Sequence, residues 1–149
     1  MESESARARE TLAALGEDRR RIGERMTAET WWAAPAQGFG SALLVAAPVA
    51  GLQWAWVPFI AGAVVFTAVE ALFRRRSGVA IGRPAGPLGV LLLVAIGLLH
   101  VAAVGGTVVL SVLELHGWAV ALAALTGVVM ALGVVGYDRV FAQEVRRAR

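Results

Sequence analysis

Arg74-Arg75-Arg76-Ser77-Gly78-Val79-Ala80-Ile81-Gly82-Arg83-Pro84-Ala85-Gly86-Pro87 separates two long apolar blocks of nearly equal size, and its reading decides the fold. Upstream, the run from Thr30 to Val69 holds 40 residues with no Asp, Glu, Lys or Arg among them. As one helix it would measure about 60 Å, roughly twice the hydrocarbon thickness of a bilayer, so it must turn back once. Downstream, Pro84–Leu113 supplies 30 such residues and Leu115–Tyr137 supplies 23. Each is enough for one span of about 20 residues. The expectation is an all-α membrane protein with four transmembrane helices as two hairpins, at about 35–51, 55–73, 88–113 and 118–137, hinged at the arginine-rich stretch.

Composition agrees. The chain has 149 residues, 58% of them apolar, and a mean hydropathy of +0.67, far from the balance of a soluble domain of this length. All 14 basic residues are Arg, and with the heavy use of Ala, Gly and Val this points to a GC-rich bacterial genome. Absence of Cys excludes disulfides and thiolate metal sites. A net charge of +3 does not predict nucleic-acid binding, because the arginines flank apolar spans rather than forming a separate basic domain. Six arginines precede the first span, four lie in the central stretch and four follow the last span, so all fall on one side. The positive-inside rule then places both termini in the cytoplasm of a multi-pass protein of the bacterial cytoplasmic membrane.

Residues 1–30 mix seven acidic residues with six arginines and precede a stretch long enough for two spans, which is not the layout of a signal peptide. Ala8, Leu12, Leu15, Ile22 and Met26 recur at steps of three or four, with Arg19 interrupting, and predict a cytoplasmic amphipathic helix. Its alternatives are a helix on the headgroups or against its own bundle, a docking helix for another protein, or a segment without structure. Trp31 and Trp32 mark entry into the bilayer, and Pro35 is expected in the first turn of the first span. Trp54, Trp56 and Trp118 form the belt at the far side, and 142–149 is expected as a cytoplasmic tail.

His100 is the one ionisable side chain well inside a span. At 100° per residue His100, Thr107, Ser111 and Glu114 fall within an arc of about 60°, a polar stripe on the third helix. Such a stripe must face protein or water, because lipid offers no hydrogen-bond partners. It reads either as a ligand or proton path or as plain interhelical bonding. Glu70 precedes Arg74 by one turn, the favourable order for a boundary ion pair. Arg74, Arg75, Arg76 and Arg83 are candidates for contact with anionic lipid. Two ridges of small residues, Gly38, Ala42, Ala46 and Ala50 in the first span and Ala119, Ala123, Gly127 and Ala131 in the fourth, are placed for close helix packing, within the chain or between copies. Two histidines and one carboxylate at uneven spacing predict no metal site, and no cofactor or catalytic motif is present.

At Glu29-Thr30-Trp31-Trp32-Ala33-Ala34-Pro35, Phe73-Arg74-Arg75-Arg76-Ser77-Gly78-Val79 and Tyr137-Asp138-Arg139, the chain resembles a loose group of small four-span membrane proteins of actinobacteria. The resemblance brings no catalytic residue. Small multidrug transporters also have four helices, but their essential glutamate sits in the middle of the first span, where this chain has no acidic residue. The expected role is protein–protein contact as an accessory or regulatory subunit of a larger membrane complex such as a transporter, the alternative being a small oligomeric transporter or channel using the polar stripe.

Overall fold

The computed structural model describes the backbone of residues 2–78 and 86–147, with the side chains of 2–6, 8, 9, 12, 13, 15, 19, 22, 26 and 144–147 not included. The side chains of Ala8, Leu12, Leu15, Ile22 and Met26, which define the expected amphipathic face, lie outside the described residues, as does Arg83. The order is α1 (Glu2–Ala46), a 3-10 turn (Ala47–Ala50), α2 (Trp56–Ser77), α3 (Pro87–Val112) and α4 (His116–Arg147). These are four helices long and apolar enough to cross a membrane, and no strand occurs among the described residues.

α1 departs from expectation. The segment expected as a separate amphipathic helix and the first span are one helix of 45 residues, and Pro35 lies in its interior rather than in a first turn. Proline there removes the hydrogen bond to the carbonyl four residues back, at a cost of about 3 kcal/mol. Contacts on both sides of the break hold the helix together. Ala33, Val69 and Phe73 form a buried cluster with Trp32, Ala36, Val65 and Phe141 against it, and the buried Thr30 hydroxyl donates to the buried Asp138 carboxylate of α4. Those partners are far away in sequence, which is why reading the proline locally misplaced the helix start.

The ends have local causes. Pro48 cannot continue the α1 ladder, and Gly51, at φ 74°, turns the chain out of the 3-10 segment while its N–H bonds to the Pro48 carbonyl. α2 stops at Gly78, whose left-handed φ of 68° lets its N–H reach the Arg74 carbonyl, a conformation glycine adopts without strain. Pro87 opens α3, where its missing N–H costs nothing.

The contacts give the lateral order α2, α1, α4, α3. Within 8 Å, no Cα of α2 approaches α3 or α4 among the described residues, whereas α1 meets all three other helices. Glycines set the two main approaches. A Cβ at Gly38 would lie 2.5 Å from the Gly127 carbonyl oxygen, and one at Gly62 would lie 2.7 Å from that of Gly40. The α1 and α4 ridges therefore pack on one another inside the chain, with Ala119 and Ala123 buried, Ala131 against Gly38, Ala42 against Gly127 and Ala46 against the Val45 cluster. Ala50 is exposed and takes no part in that seam. Gly127→Val forces a side chain into this backbone contact. It should lower stability in detergent by about 1–3 kcal/mol, whereas Gly16→Ala, in open space, should be neutral or gain up to about 1 kcal/mol, both read by thermal unfolding.

Candidate functional site

No Cα of α2 comes within 8 Å of one in α3 among the described residues, and a groove of about 770 Å³ opens between the two helices. Leu44 and Val45 at the end of α1 form its floor, Trp56 and Phe59 line the α2 side, and Val104 and Val108 line the α3 side. Its polar lining comes from His100 and Ser111.

His100 stands near the middle of α3. Its Nδ1 lies 2.9 Å from the Ile96 carbonyl oxygen, which can only accept, so Nδ1 carries a proton. Its Nε2 meets the Ser41 hydroxyl of α1, which can donate or accept. Both ring nitrogens are thus occupied, and the residue ties α3 to α1. The rest of the expected stripe divides. Thr107 is fully buried and donates to the Val104 carbonyl at 2.9 Å. Ser111 lines the groove, and its Oγ is buried without a hydrogen-bond partner. Glu114 does not belong to the stripe. α3 ends at Val112, and Glu114 sits exposed in the following turn at φ 61°. Helical geometry no longer applies there, because the Leu115 N–H has turned back to the Leu110 carbonyl and closed the helix.

A second polar cluster gathers at the end of the molecule where the start of the apolar part of α1 meets the last turns of α2 and α4. Trp32 Nε1 donates to Glu29, Arg76 lies 3.8 Å from the same carboxylate, and the Arg76 guanidinium stands 5.4 Å from the Trp32 ring centre. Arg74 pairs with Glu70 at 2.5 Å, and Arg75 is exposed. Thr30 and Asp138 join α1 to α4 alongside, and Gly23 packs near Ala142 one helical stretch further out. Trp31 is exposed at this end. At the opposite end Trp54 and Trp56 stack at 6.5 Å, and they and Trp118 are exposed.

Sequence reasoning passed over Ser41, Gly40, Gly62, Thr30 and Asp138. A usable signal existed for one of them: Ser41 is a lone hydroxyl deep in the first apolar run, and a lone hydroxyl and a lone imidazole in neighbouring spans are natural partners. No family model matches the chain, and neither the curated proteins nor the solved structures give a match. If Ser41 and His100 are one interaction, Ser41→Ala and His100→Ala should each cost about 0.6 kcal/mol, at most about 1.7. The double variant should cost little more than either alone, a coupling read by a double-mutant cycle of unfolding in detergent.

Proposed function

We propose that the chain is a multi-pass protein of a bacterial cytoplasmic membrane, with its helices arranged as two hairpins and both termini in the cytoplasm, of the kind found in the small four-span actinobacterial proteins it resembles. Its role is to bind other proteins, as an accessory or regulatory subunit of a larger membrane complex such as a transporter. The observation that carries this reading is the length of α1. Forty-five residues make a helix of about 68 Å, against about 30 Å of hydrocarbon. More than half of it stands outside the bilayer as a cytoplasmic stalk.

The stalk presents charge to water. Arg20 pairs with Glu17 and Glu24, Arg21 pairs with Glu17, and all four side chains are well exposed. Exposed pairs of this kind contribute about 0.3–0.5 kcal/mol each, so they add little to the fold and leave a polar face open to a partner. The arginines at the foot of the stalk hold it at the membrane surface, where Arg74, Arg75 and Arg76 also meet anionic headgroups at about 1 kcal/mol per charge. The alternative, a transporter or channel along α3, is disfavoured by His100, whose nitrogens are both engaged within the protein, and by Glu114 lying off the helix.

Purification of the tagged chain from native membranes in mild detergent should bring down a second protein in stoichiometric amount, seen by mass spectrometry and by particle mass. Deleting residues 2–22 should abolish that association while leaving the chain in the membrane. A homo-oligomer without a partner would overturn the subunit role. Orientation has its own readout, since the chain has no native Cys: Gly117→Cys should react with an impermeant maleimide in intact cells, and Glu10→Cys only after permeabilisation.

A further inference from the structure

The groove lies between two helices that are each long and apolar enough to cross a membrane, so on the membrane-spanning reading its flank meets hydrocarbon. We propose that it holds one acyl chain of an ester-linked membrane lipid, with the Ser111 hydroxyl donating a hydrogen bond to the ester carbonyl. The inference rests on the membrane-spanning reading above, but not on which way the chain faces.

Depth is the first argument. α3 has 26 residues and measures about 39 Å, so roughly three residues at each end stand beyond the hydrocarbon. Ser111, one residue before the end of α3, lies at the level of the lipid ester groups, and His100 lies near the midplane. Their separation along the helix is about 16 Å. One leaflet of hydrocarbon is about 15 Å deep. The groove therefore runs the depth of a single leaflet and ends where an acyl chain ends.

Width is the second argument. The groove holds about 770 Å³, within the range of small-molecule pockets, about 300–1,000 Å³. Its walls fit a flexible chain better than a helix. Val104 and Val108 project branched side chains where close helix packing would need small ones.

Chemistry is the third. Among the described residues Ser111 Oγ is the buried side-chain polar atom without a partner, and a change of its χ1 rotamer turns it from that position to the groove surface. His100, near the midplane, has both ring nitrogens occupied. The groove is thus polar at the interface and effectively apolar in the interior, matching an ester followed by a hydrocarbon tail.

The test starts with wild-type chain in vesicles of diester phosphatidylethanolamine and phosphatidylglycerol, transferred to mild detergent and weighed by native mass spectrometry. One lipid should remain per chain. Val104→Trp, which fills the groove from α3, should reduce retention at least tenfold, and Val120→Trp, on an exposed position of α4, should leave it unchanged. Ser111→Ala should reduce retention about fivefold, and wild type in diether lipids of the same headgroups should show the same loss. Melting curves identify a variant that has not folded, and Val108→Phe then replaces Val104→Trp. Wild type without retained lipid, retention that survives filling of the groove, or a dimer that Val104→Trp dissociates would each overturn the proposal. Equal retention of diester and diether lipid would overturn the Ser111 contact. A chain found in the soluble fraction would instead defeat the membrane reading itself.

Discussion

The arrangement depends on two close backbone approaches made by one helix. Gly38 and Gly40 are two residues apart on α1, about 200° around its axis, so they face nearly opposite sides. Gly38 admits Gly127 of α4 and Gly40 admits Gly62 of α2. With its neighbours fixed on opposite flanks, α1 keeps α2 and α4 apart, and among the described residues α3 meets the rest through α4, through a short contact with α1 and through the 3-10 turn. A gap between α2 and α3 is the geometric remainder. In lipid, where apolar surface gains nothing by burial against protein, such an order is set by packing of small residues rather than by hydrophobicity.

Polar side chains inside this frame follow the rule that hydrocarbon supplies no partners. Thr107 and Thr126 return their hydroxyls to carbonyls of their own helices, at 2.9 and 2.8 Å, and so need nothing from a neighbour. Ser41 and His100 satisfy each other across α1 and α3 and give that sparse contact its polar component. Asp138 and Thr30 do the same between α4 and α1 at the arginine end. These polar contacts join α1 to α3 and α1 to α4, and they position helices that dispersion alone would leave free to slide.

Much of the outline was legible in the residues. Runs of uncharged residues give the number of apolar helices, the turn glycines at 51 and 78 fall where the helices end, and the two small-residue ridges were visible at steps of four, although not that they met each other. What escaped were features decided by distant partners. Pro35 looks like a helix start unless Thr30, Ala33 and their contacts on α2 and α4 are known. Glu114 fits the angular pattern of α3, but the pattern assumes a helix that has already closed at Leu110. Gly62 has no small residue four positions away and Gly40 has only Ala36, so the α1–α2 approach left little periodic trace.

Pro35 also bears on how the two ends of α1 communicate. A proline within a helix is the ordinary place for a bend, and here it separates the proposed stalk from the segment that floors the groove with Leu44 and Val45. Bending there requires one side of the break to move against its neighbours. On the stalk side, Thr30 is held by Asp138, and Ala33 by Val69 and Phe73. On the groove side, Gly38 is seated on Gly127 and Gly40 on Gly62 within the next two turns. Both sides being anchored to the same two helices, the missing hydrogen bond does not become a hinge.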